Sequence, residues 1–198
     1  MENDGKSIIL FPFITNNFMS QSNVISWSAD YFLKLSDFKA DSNPAVFEDA
    51  YSTIKYGYTW TVNSDGVGDQ IKFFIDNIVL TTEFYPLLSW VRQSQEITLL
   101  LKHEQGHFDL AEFLKLTITE HLEEVFKGKK FLTRGQNQEQ QKQFARASSG
   151  LMIANEIEKW EKYLFDERQE YDAQTNYGHI MEKQQKYDDM FKKLRNIL

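Results

Sequence analysis

Two histidines and a glutamate within five consecutive residues are the part of this sequence best suited to chemistry. The segment reads His103-Glu104-Gln105-Gly106-His107. In an α-helix, residues four apart lie on one face and one turn apart, so both imidazoles can bind the same cation. Zinc accepts imidazole nitrogen, and a catalytic zinc site uses three protein ligands and a water molecule. The spacing therefore predicts a Zn²⁺ cofactor bound by His103 and His107.

Glu104 directly follows the first of these histidines, where metallopeptidases with this motif carry their general base. Zinc lowers the pKa of a bound water to about 7, so a neighbouring carboxylate can take its proton near neutral pH. We therefore predict a hydrolase that cleaves peptide bonds in a peptide or protein substrate, with Glu104 as its catalytic residue. The alternative interpretation is structural, with two histidines on a packed helix face beside an exposed glutamate.

The third metal ligand must come from outside the motif. His121 lies 18 residues beyond His103, which is about 27 Å along an unbroken helix and out of reach. His179 is the candidate that zinc chemistry favours, because it follows a predicted helix break where a loop can turn inward. Asp172 and Glu170, just before that break, are alternatives that offer an oxygen ligand.

Three further residues have expected roles near the motif. Gly106 lies inside a predicted helix, where glycine costs about 1 kcal/mol relative to alanine. That cost is explained if another part of the backbone passes close to the metal. Tyr171 or Tyr177 could donate a hydrogen bond to the oxyanion that forms when a peptide carbonyl is attacked.

The elements that must position these residues change in type along the chain. The first 90 residues contain short β-branched and aromatic stretches, which are typical of strands. Strands are predicted at 8–14, 25–28, 32–35, 52–62, 71–79 and 81–85. Residues 91–198 show helical periodicity, and no proline follows Pro86. Helices are predicted at about 92–126, 138–171 and 180–197.

Turn signals connect these elements. Asn63 to Gly66 separates the strands at 52–62 and 71–79, which predicts a hairpin. Asp65 to Asp69 resembles a calcium loop only faintly, and a plain hairpin turn is the preferred interpretation. The resulting fold class is α+β, as one domain of residues 1–198. Its strand-rich N-terminal half, residues 1–90, packs on a long helix that carries the metal ligands, and two further helices follow.

Composition excludes several function classes. The formal net charge of −7 argues against a nucleic-acid partner, whose phosphates require a basic face. The absence of cysteine excludes disulfides, cysteine-ligated zinc and thiol catalysis. No stretch approaches the roughly 18 apolar residues of a transmembrane helix. No signal peptide is visible, so a cytoplasmic protein is expected, or a secreted or periplasmic one if a signal has been removed. The oligomeric state is not predicted.

Three stretches of the chain resemble a bacterial domain family of unknown function that is described as predicted secreted zinc-dependent proteases. The likeness is carried by residues 25–38, by residues 89–112, which contain His103-Glu104-Gln105-Gly106-His107, and by Tyr171-Asp172-Ala173-Gln174-Thr175-Asn176. The middle stretch is highly specific. The resemblance implies a zincin-like fold with His103 and His107 as zinc ligands and Glu104 as the catalytic residue.

The chain also departs from that family. Tyr177 stands where such proteins often carry a histidine, so His179 is either a shifted ligand or unrelated to the site. Two other functions therefore stay open beside a peptidase. One is a catalytically inactive metal-binding or protein-interaction domain derived from a zincin. The other is a purely structural helical domain.

Overall fold

A computed structural model describes residues 24–65, 71–92 and 97–197. The strand predicted at 8–14 and the loop at 66–69 lie outside these residues. We number the strands β1 Ile25–Ser26, β2 Ala50–Tyr51, β3 Ile54–Asp65, β4 Lys72–Phe84, β5 Trp90–Val91 and β6 Phe131–Leu132. The helices are α1 Ile97–Phe126, α2 Gln138–Thr175 and α3 Met181–Ile197. Short 3₁₀ turns lie at Leu35–Asp37 and Pro86–Leu88.

Over the described residues, this order confirms an α+β chain with a strand-rich N-terminal half and three helices. The predicted hairpin strands are β3 and β4, which are neighbours in a sheet of order β1–β4–β3, and β6 also pairs with β4. The extra strand predicted at 81–85 is the continuation of β4. A second sheet consists of β2 and β5, paired antiparallel. Among the described residues, no helix is long and apolar enough to cross a membrane.

The strand predicted at 32–35 is wrong, because a side chain competes for the local backbone. The Oδ2 atom of Asp37 accepts hydrogen bonds from the Lys34 backbone N–H at 2.7 Å and from the Tyr31 hydroxyl at 2.8 Å. A carboxylate that binds the backbone three residues back favours a turn over an extended strand. A 3₁₀ turn at Leu35–Asp37 is the result.

Within the described residues, contacts divide the chain into two compact units, and long elements contribute to both. One unit contains residues 58–65, 71–80 and 117–160. Its core is made of buried apolar side chains from β4, α1 and α2, among them Phe73, Ile118, Leu122 and Ile153. His121 lies in this unit, with its Nε2 atom 3.3 Å from Glu156 Oε2. The single domain expected from the sequence stays a prediction.

The other unit contains residues 24–57, 81–92, 97–116 and 161–197, and it holds every candidate site residue. Its N-terminal segments pack on α1. The Phe84 and Phe108 rings lie 6.0 Å apart, and the hydroxyl of Tyr56 donates to the carbonyl of Ala111 at 2.8 Å. The first half of α1 is therefore fixed on its strand-facing side, which leaves the face of His103 to other elements.

The chain reverses sharply between α2 and α3. Asn176, Tyr177 and Gly178 have φ values of 46°, 54° and 88°, a run of left-handed residues that ends a helix. The Ile180 N–H donates to the carbonyl of Thr175 at 2.7 Å and closes the turn. The helix break predicted at these residues is confirmed, and it brings α3 back along the unit.

A buried ion pair joins α3 and the N-terminal segment to α1. Asp109 accepts hydrogen bonds from Trp27 Nε1 at 2.7 Å, from Gln105 Nε2 at 2.9 Å and from the guanidinium of Arg195. Arg195 also donates to the carbonyl of Ala29 at 2.7 Å. Only 9% of the Arg195 side chain and 5% of the Asp109 side chain are exposed, so each charge depends on the other.

We predict that Arg195→Met lowers the free energy of unfolding by about 3–5 kcal/mol, because it leaves Asp109 buried without its counter-charge. Urea unfolding measures the change. Lys186→Met is the matched control on α3, since Lys186 pairs only at the surface with Glu182 and its loss should leave the midpoint unchanged. Equal midpoints for the two variants would contradict this role for Arg195.

Candidate metal centre

One carboxylate oxygen contacts both histidines of the motif. Asp172 Oδ1 lies 2.8 Å from His103 Nε2 and 3.0 Å from His107 Nε2. The three ligand atoms lie within 4.8 Å of one another, and both imidazoles are buried. Two imidazole nitrogens and a carboxylate oxygen are a donor set that catalytic metal sites use. His103, His107 and Asp172, here called the metal triad, could therefore hold a metal ion.

The charge states of the triad suit a cation. Burial, and then the nearby charge of Arg168, lower the pKa of His107 below its usual value. Burial raises the pKa of Asp172, but hydrogen bonds from His103 and His107 outweigh that effect and hold the pKa well below its usual range. At neutral pH, His107 is therefore neutral and Asp172 is ionised. These are the protonation states in which the two side chains bind metals.

Tyr171 fixes the ring of His103 from one side. The two rings stack with their centroids 4.5 Å apart and an angle of 6° between their planes. The Tyr171 hydroxyl is buried against α1, where it donates to the His103 carbonyl at 3.3 Å. Gln184 of α3 donates to the same hydroxyl at 2.8 Å. Tyr171 therefore packs against a candidate ligand, and its hydroxyl is occupied by the His103 carbonyl and Gln184.

Gln184 also faces the second nitrogen of His103. Its Oε1 atom lies 3.4 Å from His103 Nδ1. If Nε2 bound a metal in place of its present contact with Asp172, the hydrogen of a neutral His103 would lie on Nδ1, and an acceptor at this position suits that tautomer. Gln184 is 3% exposed, so α3 places a buried polar group against both His103 and Tyr171.

Gly106 permits this packing. A Cβ atom at position 106 would lie 2.7 Å from Cζ of Tyr171 and closer still to its hydroxyl oxygen. The sequence predicted a close approach at this glycine by another part of the backbone. The structure shows a close approach, but it is made by the ring of a tyrosine one residue before Asp172.

Glu104 lies beside the triad and is held by one hydrogen bond. The hydroxyl of Ser52 donates to Glu104 Oε2 at 2.5 Å, and both side chains are buried. Among the described residues, the other carboxylate oxygen, Oε1, has no hydrogen-bond partner. Glu104 makes no ion pair with the described residues and lines a cleft together with His107 and Asp172. The carboxylate is thus oriented by Ser52 and borders that cleft.

The cleft has two halves that share Glu48, Ala50, Glu104 and Tyr177. The half beside His107 and Asp172 has a volume of about 270 Å³, and the half beside His103 has a volume of about 340 Å³. The first half is also lined by Tyr51, Phe165, Arg168, Gln169 and Ala173. The second is also lined by Phe47, Asp49, Leu100 and His179. Strand β2 therefore borders both halves.

The residues proposed from the sequence take different places around this cleft. Of the oxygen-ligand alternatives, Asp172 joins His103 and His107, while Glu170 is exposed and accepts a hydrogen bond from Gln174 at 2.6 Å. His179 is exposed in the second half of the cleft and is not part of the triad. Its role as a ligand stays a prediction.

Ser52, Arg168 and Gln184 are functional candidates that sequence reasoning missed. The sequence did contain an indication of Arg168, because it lies four residues before Asp172 and so on the same helical face. It contained none for Ser52 or Gln184, since single polar residues at a strand end and in an amphipathic helix are ordinary. Comparison with known proteins adds no further candidates. No protein-family model, no curated protein and no solved structure matches this chain.

We predict that Gly106→Ala lowers the free energy of unfolding by about 1–3 kcal/mol, because the overpacking against Tyr171 exceeds the gain in helix propensity. Gly150→Ala in α2 is the matched control, since its nearest new contact, to Trp60, is 3.1 Å. Thermal and urea unfolding of the two variants measure the difference. A Gly106→Ala protein as stable as the control would show that the close approach does not matter.

Paired variants separate the two candidates for the third ligand. Asp172→Ala should weaken Zn²⁺ affinity by more than about 100-fold, because groups that only orient ligands are already worth about 10–100-fold. His179→Ala should leave the affinity within about twofold of the parent protein. Competition with a chromogenic chelator measures both. The reverse pattern would make His179 the ligand and remove Asp172 from the centre.

Proposed function

We propose that this chain is a zinc-dependent metallopeptidase that hydrolyses peptide bonds, with Glu104 as general base and His103, His107 and Asp172 as zinc ligands. The observation that carries the proposal is the place of Glu104. Its carboxylate lies at the junction of the two cleft halves, beside the triad, and makes no ion pair with the described residues.

A zinc ion held by the triad would acidify a bound water and polarise the substrate carbonyl. Side chains of the protein would then accept and transfer the proton of that water. Because Ser52 occupies Oε2 of Glu104, Oε1 is the atom that accepts the proton from the attacking water. The same carboxylic acid can next protonate the leaving amine, as general acid–base catalysis requires. Ser52 thus serves as a positioning residue for Glu104.

Tyr177 is the better of the two tyrosines for stabilising an oxyanion. The hydroxyl of Tyr171 is buried with Gln184 and the His103 carbonyl. Tyr177 is 46% exposed and borders both halves of the cleft. A phenol there can donate to the carbonyl oxygen as charge develops on it. We therefore assign Tyr177 this role within the proposed reaction.

The substrate chain is proposed to lie extended along β2. Residues 48, 50 and 51 border the cleft, and β5 is the one strand that pairs with β2 in the part of the chain that the structure describes. An edge strand can bind an extended peptide through backbone hydrogen bonds, which supply affinity without dependence on sequence. The aromatic side chains of Phe47, Tyr51 and Phe165 then offer apolar contacts on both sides of the cleaved bond.

We predict that Glu104→Gln reduces kcat on a quenched-fluorescent peptide library by about 10²–10⁴-fold, the range expected for loss of a general base. The variant should still bind one equivalent of Zn²⁺, because Glu104 is not a ligand. Metal analysis and turnover on the same preparation test both parts. If Glu104→Gln retains parent activity, or if the parent protein binds no zinc, the proposal fails.

A further inference from the structure

Arg168 brings a permanent positive charge to the edge of the metal triad. It belongs to α2, and its Nη2 atom donates to the carbonyl of Ser52 at 2.9 Å. Its Nε atom donates to His107 Nδ1 at 3.2 Å. The guanidinium lies 5.7 Å from the centroid of the Tyr51 ring. These contacts hold Arg168 on the wall of the first half of the cleft, next to a proposed zinc ligand.

This charge has no carboxylate partner among the described residues. By contrast, Arg92 pairs with Asp49 and Arg195 pairs with Asp109. Arg168 is partly buried, and a guanidinium stays protonated at any physiological pH. Partial burial of an unpaired charge is unfavourable, and such a charge attracts an anion when it faces a space that a ligand can enter. Arg168 faces such a space.

The hydrogen bond between Arg168 and His107 also conflicts with metal binding. It requires a lone pair on His107 Nδ1. A neutral histidine that coordinates through Nε2 carries its hydrogen on Nδ1, so two N–H groups would then face each other. In that state the hydrogen bond between Arg168 and His107 must break, while the hydrogen bond from Arg168 to the Ser52 carbonyl can remain. The released Nε–H then joins the donors that face the cleft.

We infer that Arg168 recognises a carboxylate of the substrate close to the bond that is cleaved. The substrate class is peptides with a free C-terminal carboxylate or an acidic side chain within one or two residues of that bond, since one extended residue spans about 3.3–3.6 Å. A planar guanidinium binds a carboxylate through two parallel hydrogen bonds. Tyr51 and Phe165, in the same half of the cleft, receive the apolar part of that residue. The inference rests on the proposed function.

Binding of paired thiol probes to the zinc-loaded protein tests this without a measurement of turnover. One pair is mercaptoacetyl-phenylalanine and its carboxamide, which reports on a C-terminal carboxylate. The other is the carboxamides of mercaptoacetyl-aspartate and mercaptoacetyl-asparagine, which reports on an acidic side chain. Isothermal titration calorimetry should show at least a tenfold preference for the acid in one pair, as a charge-assisted bidentate contact supplies.

Arginine variants assign that preference to one residue. Arg168→Gln should reduce it to less than about twofold, and Arg168→Lys should retain part of it, because lysine keeps the charge and loses the planar pair of donors. Arg134→Gln is the control for the loss of one positive charge, since Arg134 is exposed and does not line either half of the cleft. This control should keep the full preference.

Two failures are distinguishable. If the parent protein binds zinc and hydrolyses peptides but binds acid and amide within twofold in both pairs, the role of Arg168 is overturned and the peptidase proposal stands. If the parent protein takes up no zinc, the proposed function fails and this inference fails with it. An acid preference that survives in Arg168→Gln would assign carboxylate recognition to another group and overturn the inference.

Discussion

The contact of one carboxylate oxygen with two imidazoles is the constraint on which the rest of this unit depends. For Asp172 to reach His103 and His107, α2 must run very close to α1. The glycine at position 106 makes that approach possible, and Tyr171 fills the space that it leaves. The left-handed turn after Thr175 then returns α3 to place Gln184 behind the first histidine. Each of these contacts belongs to the packing that brings the Asp172 oxygen to the nitrogens of the two histidines.

The strand-bearing part of the unit contributes the groups that surround the triad. Ser52 lies directly after β2 and contacts both Glu104 and Arg168, through its hydroxyl and its carbonyl respectively. One residue thus connects the proposed base to the one permanent cation on the cleft wall among the described residues. The Asp109–Arg195 pair joins α1 to α3, and neither residue lines the cleft.

The sequence predicted the parts of this arrangement that depend on local periodicity. The spacing of His103 and His107, the presence of the three helices and the break at Asn176 to Gly178 follow from patterns within a few residues. The end of α2 does not, because the helix continues to Thr175, four residues beyond its predicted end at 171. The unusual glycine at 106 correctly indicated a close approach, although not the identity of its partner. The strand proposed at 32–35 failed because a local carboxylate, that of Asp37, captured the backbone instead.

Contacts between residues far apart in the sequence could not be predicted in the same way. Asp172, Glu170 and His179 were all chemically suitable, and only the rotation and register of α2 bring the first to the two histidines. Ser52 and Gln184 act through contacts with residues 52 and 81 positions away, so nothing in their own surroundings marks them. Arg168 differs from these two residues, because it lies on the same helical face as the buried Leu164 and Tyr171. A charged residue on such a face is unusual and could have been noticed in the sequence.

The most direct test of this account is an anomalous difference map from crystals of the zinc-loaded protein. The account predicts one strong peak at about 2.0–2.2 Å from Nε2 of His103, Nε2 of His107 and Oδ1 of Asp172, with Glu104 close by but not bound. A map with no peak between these atoms, or with His179 bound in place of Asp172, would contradict it.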